Sequence, residues 1–134
     1  MKTPEAGREK YADAAACPIR NVLDRFGDKW SILVLLILDD YGTLRFNELH
    51  RTIGEISQKM LTVTVRSLEA DGLVDRTMYA EIPPRVEYQL TARGKGLMPH
   101  IHGLVKWAHT NLPAIKRSRL KQEPRAHTGT LRQT

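Results

Sequence analysis

Apolar positions fall at helical spacings along most of the chain. Ile19, Val22, Leu23 and Phe26 make one stripe between Pro18 and Gly27. Proline suits a first helical position, where its missing amide hydrogen would go unpaired anyway. Asp28 is a good cap for a second helix, predicted from Lys29 to about Leu38. Its run WSILVLLIL is apolar nearly all round, which marks a buried central helix with Trp30 as a core anchor. Asp39 to Gly42 reads as a turn, and Leu44-Arg45-Phe46 is long enough for only one or two ladder bonds. Asn47 is the predicted cap of a brief helix, Glu48 to Thr52, and Gly54 breaks the chain. From Ile56 to Gly72 the helical period returns. Ser57 can cap, Gly72 can close, and Leu61, Val65 and Leu68 share one face. Gln58, Lys59, Thr62 and Arg66 fall on the other.

The period then changes from helical to alternating. Leu73 to Tyr79 is β-prone, Ile82-Pro83-Pro84 forbids regular pairing, and Val86, Tyr88 and Leu90 alternate with polar residues. A hairpin directly after a trihelical core predicts a winged helix-turn-helix, a fold mainly α with a small β-hairpin. Thr91 can cap one last long helix, which Gly94 and Gly96 weaken and Pro99 should bend or delay. Its stripe of Leu97, Ile101, Leu104, Val105, Ala108 and Leu112 is too long for so small a body to cover. An uncovered stripe implies a partner, and a two-fold homodimer is the commonest solution. The predicted interface is therefore Ile101, Leu104, Val105, Ala108 and Leu112, with Trp107 packed there or folded back on the body. The organisation that follows is an N-terminal arm (1–15), a winged helix-turn-helix DNA-binding domain (16–91), a C-terminal dimerisation helix (92–113) and a basic disordered tail (114–134).

Charge sharpens this picture only at the end of the chain. Six basic residues after residue 115, against Glu123 alone, carry five of the six net positive charges. Such a tail either adds sequence-independent attraction to phosphates or solubilises the chain. The body is nearly neutral, so its chemistry lies in placement. An amide, an ammonium and a hydroxyl near the start of the helix at Ser57 suit base edges and phosphates of double-stranded DNA, although a merely solvated face has the same pattern. Pro84 and Arg85 sit at the hairpin tip, with Arg76 on the outgoing strand, where they reach a sugar-phosphate edge or only solubilise the hairpin.

Cofactor and catalytic chemistry find no foothold. His100, His102 and His109 do not converge on one ion at helical spacing, so no metal is expected. No acid–base pair, nucleophilic constellation or glycine-rich phosphate loop is present, so no catalytic residue is assigned, no cofactor is expected, and the protein reads as a non-enzyme. The longest apolar run, Ile32 to Leu38, is too short to span a bilayer. One cysteine excludes an internal disulfide and fits a reducing compartment, which together with the absence of a secretory signal predicts a cytoplasmic protein, nucleoid-associated when bound to DNA.

Three stretches, CPIRNVLDRFGDKWSILVLLIL, LRFNELHRTIGEISQKMLTVTVRSLEADGLVDR and PPRVEYQLTARGKGLMPHI, resemble in order the HxlR-type family of winged helix-turn-helix transcriptional regulators, over roughly Cys17 to Trp107. The resemblance implies a dimer formed by the first and last helices, and the helix from Ser57 in the major groove. It implies DNA contacts by Arg45, Ser57, Gln58, Lys59 and Thr62, with the wing at Pro83 to Arg85. Val63 departs from the family, where similar proteins often carry glutamine. Some family members sense quinones, aldehydes or oxidants with a cysteine at the place of Cys17. A sulfur at a helix N-terminus near Arg20 can be more acidic and reactive; a buried Cys17 would be only a small hydrophobe. The function expected is a homodimeric, sequence-specific regulator, a repressor on an inverted-repeat operator, switched by redox or electrophile modification of Cys17. The alternatives are a small-ligand-responsive regulator with a structural Cys17, or a non-catalytic interaction module without operator specificity.

Overall fold

The computed structural model describes residues 17–133, with side chains through residue 122. The predicted N-terminal arm and a short helix expected around Tyr11 to Ala16 lie outside the described residues. The chain forms two compact units, one ending at Met98 and the other starting at Pro99. No helix among the described residues is long and apolar enough to cross a membrane.

The first unit is a winged helix. Helix α1 (Pro18–Phe26) starts on its proline, with Cys17 at the capping position. Helix α2 (Lys29–Tyr41) is capped by Asp28, whose carboxylate accepts from the Ser31 amide at 2.9 Å and from the Ser31 hydroxyl at 2.7 Å. Partial burial pushes this carboxyl's pKa up; the two Ser31 hydrogen bonds and further backbone amides outweigh that and hold it below its ordinary value. The predicted turn at Asp39 to Gly42 needs correction, because Asp39, Asp40 and Tyr41 stay helical. Nothing before Gly42 breaks the ladder, and Gly42 ends it with φ +81°.

Strand β1 (Leu44–Arg45) leads directly into α3 (Phe46–Ile53). Asn47 is not the cap. The helix begins at Phe46, and the Glu48 carboxylate reaches back to accept from the Arg45 amide at 2.9 Å. Helix α4 (Gln58–Ala70) starts at Ser57, whose hydroxyl accepts from the Met60 amide at 3.0 Å. It ends in a Schellman pair, Gly72 N–H to the Glu69 carbonyl and Leu73 N–H to the Leu68 carbonyl, each 3.0 Å. Gly72 sits at φ +74°, which a side chain would strain. Strands β2 (Val74–Tyr79) and β3 (Arg85–Leu90) form the wing, paired antiparallel from Val74↔Leu90 to Tyr79↔Arg85. Strand β1 adds to the other side of β3 through Leu44↔Tyr88 and Arg45↔Glu87, giving the order β1-β3-β2. The core is Val34, Leu35 and Leu38 of α2, Leu49 of α3, Leu61, Val65 and Leu68 of α4, and Val74, Tyr88 and Leu90 of the sheet, all buried.

The last helix, α5, runs Ala92–Gln133. Thr91 caps it, its hydroxyl accepting from the Gly94 amide at 3.0 Å and donating to the Gly72 carbonyl at 2.6 Å. Pro99 does not delay its start, and the backbone continues well past residue 113, where the sequence placed a disordered tail. The residues after Pro113 include Ala114, Lys116, Arg117, Arg119, Leu120 and Lys121, all strong helix formers. Within the second unit the stripe extends to Ile115, and Leu104, Leu112 and Ile115 are exposed; Ile101, expected at the interface, is instead buried within the chain.

Candidate nucleic-acid interface

Helix α4 divides cleanly. Leu61, Thr64, Val65 and Leu68 are buried, so the opposite side is presented outward on a rigid support. Gln58 and Lys59 are exposed in its first turn, and no described hydrogen bond or ion pair uses either side chain. Ser57 and Thr62 are committed locally, Ser57 to its cap and Thr62 by donating to the Gln58 carbonyl at 2.9 Å. Ser57 therefore fixes where the helix begins, and keeps its hydroxyl hydrogen and one lone pair for a ligand.

The turn before α4 is held by a residue the sequence reading passed over. The His50 Nε2 lies 2.8 Å from the Ile56 carbonyl, and its ring stacks on Phe46 at 6.5 Å between centroids. Gly54, at φ +83°, makes the sharp corner, and Ile56 is buried beneath it. His50 thus clamps the angle between α3 and α4. A histidine one turn before a Gly corner was the available signal.

The remaining positions group in two grooves. Arg66 and Thr62 line a cavity of about 600 Å³ together with Arg76 of β2, Phe46, Val86 and Tyr88. Arg76, ambiguous in sequence, therefore stands across a groove from the outward face of α4, with no described ion partner. A second cavity of about 500 Å³ brings Arg45 and Asn47 of the α3 entry beside Pro83, Pro84 and Arg85 of the wing.

Arg85 is in a different state from the other cations. Its Nη2 lies 3.3 Å from Glu81 and its Nε 3.5 Å from Glu87, and its guanidinium stacks 4.1 Å over the Tyr79 ring. The Nε is close enough for ionic attraction but lacks hydrogen-bond geometry. Two carboxylates and an aromatic face hold this side chain within the wing, so its charge is already compensated there.

Cys17 is 3% exposed. Around α1 lies a further cavity of about 520 Å³, lined by Val22, Arg25, Phe26, Asp71, Leu73, Arg93 and Leu97. Arg25 Nη1 pairs with Asp71 at 3.1 Å, and Arg93 Nη1 donates to the Asp71 carbonyl at 3.2 Å. The rest of α1's stripe is open: Ile19, Val22 and Leu23 are exposed, and no residue of the helix is buried.

Residues 25–116 match the family described as HxlR-like helix-turn-helix. An HTH-type transcriptional regulator of Methanothermobacter thermautotrophicus is 44% identical over 102 residues, 76% of this chain and 77% of that protein. The redox regulator HypR in its reduced form superposes with a TM-score of 0.70 at 39% identity, covering 75% of this chain and 98% of that one. The reduced transcriptional regulator YodB of B. subtilis gives 0.60 at 30% identity, covering 81% and 92%. With an exposed polar helix face on a winged helix, and with these relatives, the chain belongs to the HxlR-like helix-turn-helix family of DNA-binding transcriptional regulators.

Proposed function

We propose that the protein is a homodimeric repressor that reads an inverted-repeat operator. The observation that carries this reading is the outward face of α4, where Gln58, Lys59 and Arg66 stand exposed and unpaired among the described residues. Gln58 suits bidentate pairing with adenine, and Lys59 reaches guanine or phosphate. Arg66 and Arg76 flank the strand of DNA nearest the wing. Arg45, with Pro84, contacts the neighbouring backbone. Arg85 acts mainly by shaping the wing tip, because its charge is already compensated by Glu81 and Glu87. The second copy covers the open stripe of α1 and the open stripe of α5, from Leu104 through Ala108 and Leu112 with half-buried Val105 beside them, whereas Ile101 is already buried within the chain.

The test is a footprint on duplexes selected from a random pool, followed by Gln58→Ala. A dyad-symmetric footprint with half-site centres roughly 34 Å apart is expected. Gln58→Ala should cost about 1–3 kcal/mol on the selected site and little on random DNA. A monomeric footprint, or equal losses on both DNAs, would remove the reading.

The signal is read first at Cys17, because the redox regulator HypR is a relative and because Cys17 begins the helix whose apolar stripe is open. With one cysteine per chain, oxidation joins two chains or one chain and a small thiol. Two thiols give one S–S bond, and two electrons and two protons pass to diamide, which becomes the hydrazine. At 3% exposure the larger sulfur adduct does not fit without displacing α1. Cys17→Ser should bind the operator normally and ignore diamide. If wild-type binding also survives diamide, the second reading takes over: a small ligand in the 520 Å³ cavity between α1 and the first turns of α5, with Cys17 structural.

A further inference from the structure

The outward face of α4 has an apolar centre. Val63 is 55% exposed although it lies mid-helix on an element whose other side is buried. Leu61, Thr64, Val65 and Leu68 fix the buried side; at about 100° per residue, Lys59, Val63 and Arg66 lie nearest the opposite pole, with Ala70 beyond them at the end of the helix. Val63 stands roughly 6 Å along the axis from Lys59 and about 4.5 Å from Arg66, at 1.5 Å per residue. Neither cation has a described ion partner. Between two groups suited to phosphates or guanine, the central position offers two methyls and no polar atom. Thr62 beside it donates its hydroxyl hydrogen to the Gln58 carbonyl. Met60, also exposed, falls about a quarter turn to one side.

A major groove has one apolar feature at a base edge, the 5-methyl group of thymine. Valine is stiff at χ1 in a helix, so its methyls are held at one place and need little ordering on contact. We propose that Val63 is a specificity-determining residue that reads a thymine 5-methyl group at a fixed position of each half-site. A polar base edge facing Val63 would lose its water without gaining a partner, so the position also discriminates against cytosine and the purines. The proposal rests on α4 entering the major groove and adds the base chemistry at its centre.

The experiment is a double-mutant cycle between protein and DNA. An operator selected from random duplexes is resynthesised with uracil in place of thymine at one position per half-site at a time. Affinities of the wild type, Val63→Ala and Val63→Thr are measured on each duplex. At one thymine the wild type should lose about fourfold per half-site, the worth of one buried methyl, and roughly fifteenfold when both half-sites are changed. Val63→Ala should show a comparable loss on the thymine operator and no additional loss on the uracil operator at that position. Val63→Thr, which keeps one methyl, should fall between. Unfolding of each variant followed by circular dichroism guards against a folding defect, and an exposed valine should leave the midpoint nearly unchanged. Independent losses for protein and DNA changes at every thymine would overturn the assignment, while leaving α4 as the reading helix. Failure to select any operator would overturn both.

Discussion

Helices α1 and α4 look alike in sequence and fare differently in the fold. Both have a plausible cap, apolar residues at spacings of three and four, and a glycine at or near the end. Helix α4 buries Leu61, Thr64, Val65 and Leu68, whereas α1 buries nothing of its own and leaves Ile19, Val22 and Leu23 exposed. Periodicity reports that a helix has an apolar side. It does not report whether that side meets the chain's own core or something outside it. The helix proposed to read DNA is braced from within; the helix proposed to meet another copy leaves its apolar side exposed.

The largest effect expected from that contrast is in α4. Leu61→Ala or Leu68→Ala should cost about 2–5 kcal/mol, a large share of a small domain's stability. Urea unfolding at low protein concentration measures it. Leu23→Ala should cost well under 1 kcal/mol in the same dilute measurement, as for other exposed substitutions away from special features. Its effect should appear in sedimentation, as dissociation of the proposed dimer at concentrations where the wild type stays associated. Equal losses from Leu23→Ala and Leu68→Ala in dilute urea would erase the distinction between the two helices.

A smaller effect concerns the cap that follows α1. Asp28→Ala should cost about 0.5–2 kcal/mol at neutral pH, because it strips the Ser31 amide and hydroxyl of their acceptor. The Asp28 carboxyl is held below its ordinary value of 3.8, so its contribution is fully present above that pH in the wild type. It fades as pH falls through the lower folded value. The gap between wild type and Asp28→Ala should therefore close in acid, and a gap that persisted to pH 2 would show that packing, not charge, makes the cap. The smallest effect lies in α5. Replacing Lys116, Arg117, Arg119 and Lys121 by glutamine should flatten the log–log salt dependence of DNA binding by about 0.9 for each phosphate that these side chains neutralise. An unchanged slope would make this basic run a solubilising end.

Much of the winged helix was legible because its signals are local. Ser57 and Gly72 bound α4 to within two residues, and the alternation of Val86, Tyr88 and Leu90 gave the returning strand. The start of α3 was missed because arginine is a poor capping residue. The clue lay in Glu48, which reaches back to the Arg45 amide from three residues on. The state of Arg85 was legible but unread. Glu87 lies two residues away on the same face of the strand, and Glu81 four residues before it, so compensation within the wing could be foreseen. The partnership of Arg76 with Arg66 was not legible, since ten residues and a change of element separate them and only the folded sheet brings them to one groove. The extent of α5 was missed because a basic composition poor in apolar residues read as a disordered tail, while the helix formers after Pro113 favour continuation.

The Thr91 hydroxyl has a mechanical consequence. It joins the carbonyl of Gly72, just past α4, to the first turn of α5. The proposed base-reading residues lie at the other end of this 13-residue helix. A stiff rod of that length is roughly 20 Å long, so a tilt of about 5° at the Thr91 end sweeps the Gln58 end by nearly 2 Å. Hydrogen bonds to base edges fail over such a distance. Leverage of this kind lets a slight disturbance at the root of the last helix be felt, amplified, at the fingertips.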